Sequence, residues 1–220
     1  MRKLFLLFVV LSLSLTAVAQ DGPPPMPEID GEIFLMGLNG PQGIYVDADG
    51  NVWIAENGLG GDEEVSYFDA ATYEEIPGLL GNTARLIRVA PDGTQEVMAE
   101  LPSIAAGQDI LGSARITTLD GQVYFTHGGW ISTLGDDVSV PGFAAVNTLS
   151  DDGIAVVAST FAHENSENPD GLDLRESHPY GIAAGPDGML YVTDAAANAL
   201  IKIDPASGEI TTVTAFDPLP

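Results

Sequence analysis

The stretch PQGIYVDADGNVWIAE, residues 41–56, decides the fold. Two short apolar runs flank Asp49-Gly50, a dipeptide that closes a tight hairpin because glycine accepts positive φ. The second run alternates aliphatic and aromatic side chains at Val52, Trp53 and Ile54, as a half-buried strand does. The pattern returns without a gap at PYGIAAGPDGMLYVTD, residues 179–194. There Gly181 matches Gly43, Tyr191 matches Trp53 and Asp194 matches Glu56. A third copy runs from Arg115 to His127 around Asp120-Gly121.

Each hairpin is followed by another. Residues 84–98 turn at Pro91-Asp92-Gly93, residues 144–157 at Asp151-Asp152-Gly153, and residues 199–213 at Pro205-Ala206-Ser207-Gly208. Four antiparallel strands in each of three repeats predict an all-β fold, a β-propeller of four-stranded blades. No window between these turns carries a 3.6-residue apolar period, so a helical fold is excluded. The expected blades are 42–101, 113–161 and 179–217, with 32–37 as a lone strand ahead of them in a domain of residues 32–220. Closed propellers use about four to eight blades. The expectation is therefore an incomplete propeller continuing in further blades; the alternatives are a compact partial propeller or a dimer that closes the ring.

The first residues read differently. Arg2 and Lys3 precede an apolar run from Leu4 to Leu15 and an Ala17-Val18-Ala19 motif. This is a signal peptide over residues 1–19, cleaved near Ala19-Gln20, and the run is too short to span a membrane. A Pro-rich linker over 20–31 follows. The expected location is secreted or periplasmic, without membrane insertion. The chain has no cysteine, so its core must supply the stability that exported proteins often draw from disulfides. With 32 acidic against 7 basic residues the net charge is −25, which excludes nucleic acid as a partner.

Strand alternation sorts the connectors between two faces. The six hairpin turns, at 47–50, 91–93, 120–121, 151–153, 186–188 and 205–208, share one face and are minimal. The long connectors 57–83, 102–114, 128–143 and 159–178 share the other. Long connectors gathered on one face mark it as the binding-face candidate. Glu56, His127 and Asp194 end the second strand of their repeats, while Gln42, Arg115 and Tyr180 stand at the mouths of the innermost strands. These six read either as strand-end caps or as ligand contacts converging on the axis. The three histidines lack zinc spacing. Calcium, an oxygen-seeking cation, is the metal to test for, with Glu56 and Asp194 as its candidate ligands. Gly58-Leu59-Gly60-Gly61 lacks the Lys-Ser/Thr of a phosphate loop and reads as a flexible loop.

Several motifs carry a resemblance. Gly37-Leu38-Asn39-Gly40-Pro41-Gln42-Gly43, Asp92-Gly93-Thr94-Gln95, Asn168-Pro169-Asp170-Gly171 and Pro179-Tyr180-Gly181 occur in order from about residue 35 onward. In this the chain resembles the ScyD/ScyE family of exported propellers, named for scytonemin gene clusters. Its hairpins are also similar to NHL repeats and six-bladed TolB-like propellers. The resemblance implies an exported, soluble propeller; the asymmetry of the connectors adds the expectation of a binding or scaffold protein that engages a small molecule, glycan or protein through the long-connector face. Propellers of the gluconolactonase and paraoxonase kind imply the alternative, a calcium-dependent lactonase or other hydrolase. A third expectation is self-association through open blade edges.

Overall fold

Hairpins that end in Asp-Gly turns can pair only with their neighbours in sequence, and this dictates the sheets seen. The computed structural model describes residues 31–69, 72–150 and 152–217. The expected signal peptide, residues 20–30 of the linker and Asp151 of the second outer turn lie outside these residues. Residues 31–36, grouped with the chain before them as a unit separate from residue 37 onward, carry no regular structure. The lone strand expected over 32–37 is therefore not formed. A strand is made by its pairing, and no described strand pairs with it.

The first blade contains β1 (Pro41–Val46), β2 (Val52–Glu56), β3 (Glu63–Asp69), β4 (Glu74–Val89), β5 (Gln95–Ala106) and β6 (Asp109–Leu111). The second contains β7 (Ser113–Leu119), β8 (Gln122–His127), β10 (Ala145–Ser150) and β11 (Gly153–Ser159), with β9 (Trp130–Ile131) in a connector. After α1 (Thr160–Glu167) and β12 (Glu176–Ser177) come β13 (Pro179–Ala184), β14 (Leu190–Asp194), β15 (Ala199–Ile203) and β16 (Ile210–Ala215). The sheet orders are β1-β2-β4-β5-β6 with β3 on β4, then β11-β10-β8-β7, then β13-β14-β15-β16. These are three consecutive antiparallel blades of a β-propeller.

The repeat extends to the register. Pro41 pairs with Glu56, Ser113 with His127 and Pro179 with Asp194, and in each hairpin a register shift follows immediately. The shift re-aims the mouth of the innermost strand. Between the first two blades Trp53, Ala55 and Leu86 meet Ile116, Val123 and Phe125. Between the second and third, Val146 and Ala158 meet Leu190, Val192 and Ile201. Each fully buried Leu, Val or Phe side chain among these contributes about 1.5–3 kcal/mol.

The connector over 57–83 is not the loop its glycines suggest. β3 and the first half of the 16-residue β4 form a hairpin, with Val65 facing Gly78 and Tyr67 facing Ile76. Pro77 lies beyond Leu79, the last β4 residue that β5 pairs, where a missing N–H is tolerated. Gly60 (φ +70°) is required rather than flexible, because a Cβ there would stand 2.6 Å from the Leu79 carbonyl oxygen. A third core joins the long connectors, with Ile104, Trp130, Val140, Phe143 and Phe161 at its centre.

Candidate functional site

The three strand-end residues are buried, and two are fully engaged. Glu56 is 0% exposed; it accepts from Arg85 Nε at 2.5 Å and Nη2 at 3.0 Å, and from the Asn39 N–H at 2.7 Å. Asp194 accepts from Ser177 Oγ at 2.6 Å and from the N–H groups of His178 (2.7 Å) and Ala197 (3.2 Å). Burial raises its carboxyl above the usual carboxylate range. His127 stands 3.0 Å through Nδ1 from Ser113 Oγ, and burial lowers it to about 3, so the ring is neutral. Each residue ties the chain entering its inner strand to the end of the second strand, the capping alternative rather than an axial ligand set.

Calcium does not fit the two acids named for it. The oxygens of Glu56 are held by a guanidinium and those of Asp194 by three N–H and O–H donors. Among the described residues no group of three or more His, Asp or Glu side chains is placed to hold a metal. Strand-end position alone does not give ligand geometry, and Arg85, which engages Glu56, lies 29 residues from it in sequence.

Gln42, Arg115 and Tyr180 do converge, one from each inner strand. Tyr180 donates its hydroxyl to Gln42 Oε1 at 2.9 Å, and the Arg115 guanidinium lies 4.4 Å over the Tyr180 ring. Arg115 also donates to the Ala114 carbonyl at 2.9 Å and to the Gln42 carbonyl. The three join the blade mouths through one another.

An aromatic-walled recess lies elsewhere, among the long connectors. It is a cavity of about 290 Å³, and every lining residue belongs to 57–83, 102–114, 128–143 or 159–178. Tyr67, Trp130, Leu134 and Phe143 form walls; Asp109, Glu176 and His178 supply polar groups. The indole of Trp130 is oriented by donating to the Gly135 carbonyl at 3.0 Å. Tyr67 donates to Asp109 Oδ2 at 3.1 Å, and burial with this carboxylate nearby raises its phenol above the ordinary range. β12 pairs with β9, setting Glu176 opposite Ile131. Glu176 and His178, two residues apart in extended chain, project to the same side. Burial raises the Glu176 carboxyl and lowers the His178 imidazole. No lysine or arginine lines the cavity.

None of the six sequence-selected side chains lines this recess, although the face selected by connector length does. Tyr67, Asp109, Trp130, Glu176 and His178 were missed because they lie outside the repeat. Their only sequence signal is membership of the long connectors.

No family model matches this chain, and no curated protein matches it. Among solved structures it is similar to a protein named as a gluconolactonase (18% identity, TM-score 0.40, covering 85% of this chain and 67% of that one). It is also similar to virginiamycin B lyase from Staphylococcus aureus (18% identity, TM-score 0.30, 82% and 71% covered). A third likeness is the extracellular domain of a one-component system from B. thetaiotaomicron (13% identity, TM-score 0.37, 81% and 25% covered). At these identities and scores no activity transfers.

Proposed function

We propose that this is an exported propeller of the ScyD/ScyE type that binds a small uncharged or cationic molecule in the connector cavity. One observation carries the reading: four segments far apart in sequence enclose one aromatic-walled recess whose ionisable groups are Asp109, Glu176, His178 and Tyr67. Flat aromatic walls take the apolar face of a ring, while carboxylates accept from its hydroxyl or ammonium groups. Two acids without a cationic residue disfavour an anionic ligand. A volume near 290 Å³ suits a single glycan unit or a molecule of that size. The export signal of residues 1–19 and the resemblance to exported propellers support a role outside the cytoplasm. Among the described residues no helix is long and apolar enough to cross a membrane.

The lactonase alternative has less support, since the acids proposed as its calcium ligands are engaged by the protein itself. Self-association retains a surface: Ile44 and Val46 are exposed on the first blade. Light scattering reads it, and a monomer at all concentrations refutes it.

The chain has two tryptophans, and only Trp130 lines the cavity. In a Trp53→Phe variant, fluorescence therefore reports the site alone. Titration with neutral monosaccharides and small amines is expected to give saturable shifts that Asp109→Asn weakens. A response to carboxylates or phosphates but to none of these would refute the reading.

A further inference from the structure

The connector cavity is rich in aromatic surface and poor in side-chain donors. Tyr67, Trp130 and Phe143 all line it. Trp130 and Phe143 are 7% and 3% exposed and belong to the connector core, with Tyr67 packed against that core. Gly128 backs the Phe143 ring so closely that a Cβ there would clash with it. The polar edges of the other two rings are committed, the indole N–H to the Gly135 carbonyl at 3.0 Å and the Tyr67 hydroxyl to Asp109 Oδ2 at 3.1 Å. An occupant therefore meets these rings as π surface rather than as donors. Among the described side chains that line the cavity, Ser66 and His178 alone retain an N–H or O–H without a partner. Asp109 and Glu176 supply negative charge.

We propose that the cavity binds a quaternary ammonium ion, its methyl groups against the rings of Tyr67, Trp130 and Phe143. This names the ligand class for the binding role proposed for the same cavity, and it rests on that role. A cation is attracted to the negative face of an aromatic ring, most strongly where water is excluded. A sugar needs donors as well as acceptors around each hydroxyl, and the cavity is short of donors. A primary ammonium is a compact, strongly hydrated charge that must replace its water with directed acceptors. A quaternary ammonium has no N–H to satisfy. Its charge is spread over methyl groups that lie equally well against rings and against Leu111 and Leu134. The two carboxylates add attraction without having to reach hydrogen-bond distance.

The test is a calorimetric titration of the full chain with choline, ethanolamine, glucose, phosphocholine, acetate and the dimethylbutanol in which carbon replaces the choline nitrogen. That alcohol has the shape of choline without its charge. Saturable choline binding is expected, with the neutral isostere at least about tenfold weaker, as loss of a desolvated cation–π contact requires. Ethanolamine and glucose are expected to bind more weakly than choline, and so is phosphocholine, whose phosphate would face two acids. Tyr67→Leu is expected to weaken choline about tenfold. Tyr67→Phe, which keeps the ring without the hydroxyl, is expected to recover most of that loss. Equal losses in the two variants would mark the hydroxyl or the fold rather than the ring, and would overturn the proposal. An isostere as tight as choline would overturn it too, as would tighter binding of glucose or ethanolamine; each of these leaves the cavity a ligand site. Phosphocholine as tight as choline would overturn the assignment to a free cation. No saturable response to any of these compounds, or a response to acetate alone, would overturn both the proposal and the role it rests on.

Discussion

The blades and the connector layer are built by different rules. A blade is made of hairpins whose strands are neighbours in sequence, and its cores repeat one arrangement across each boundary. The connector layer joins four segments that repeat nothing: the β3–β4 hairpin, the end of β5 with β6, the β9 segment, and the α1–β12 segment. The buried strand-end residues show the difference in miniature. Glu56, His127 and Asp194 share one position, yet the first is held by a guanidinium and the third by three donors, while His127 is engaged through Nδ1 alone. A repeat dictates where a side chain goes; what it meets there comes from segments outside the repeat. Damage to a blade should therefore reach the whole fold, whereas damage to the connectors should cost less and fall on binding.

The largest expected effect is in a blade. Phe125 is fully buried between the first two blades, and Phe125→Ala should destabilise by about 4 kcal/mol in urea unfolding. Leu134→Ala at the partly exposed edge of the connector core should cost about 1–2 kcal/mol and weaken ligand response at Trp130 instead. Equal losses would erase the distinction between the two regions.

Titration separates them by sign. His127, in a blade, is lowered to about 3 from 6.5, so the unfolded chain takes up its proton first. Its contribution to stability is complete above pH 6.5 and is lost as pH falls toward 3, by up to about 1.4 kcal/mol per pH unit. Glu164, on α1 in the connectors, is raised to about 7 from 4.5, because it is buried near Asp170 and Asp194. Here the folded state binds the proton first, so the stability Glu164 gives at low pH is lost as pH rises from 4.5 to 7. Glu164→Gln should remove that loss, stabilising the protein above pH 7 by on the order of 2 kcal/mol. Parallel stability–pH curves for the parent and the variant would contradict this.

Smaller effects distinguish required glycine from loop glycine. Gly60→Ala should cost about 2 kcal/mol, since its Cβ meets backbone at a positive φ. Gly171→Ala, also at positive φ but in open space, should cost about 1 kcal/mol. The smallest expected loss is Tyr180→Phe, about 1 kcal/mol or less for one partly exposed hydrogen bond to Gln42.

The blades were legible because Asp-Gly turns and period-two alternation are local signals, and copies 138 residues apart align without a gap. The convergence of Gln42, Arg115 and Tyr180 was legible for the same reason. The cavity was not. Tyr67 meets Asp109 across 42 residues, and Trp130 pairs its strand with Ser177. No periodicity announces such contacts, and the glycines at 58, 60 and 61 read as flexibility although they serve close backbone packing. Glu56 was assigned to a metal because a carboxylate's partner cannot be read from its own neighbourhood in sequence.

The long connectors form a folded layer that encloses a site. Amide hydrogen exchange resolved to residues 57–83 and 102–112 tests it most directly. Amides of the β3–β4 hairpin and of β5 near Ile104 should be protected at least about 100-fold over an unstructured chain, with further slowing when the cavity is filled. Exchange at the unstructured rate across these residues, with the blades protected, would contradict it.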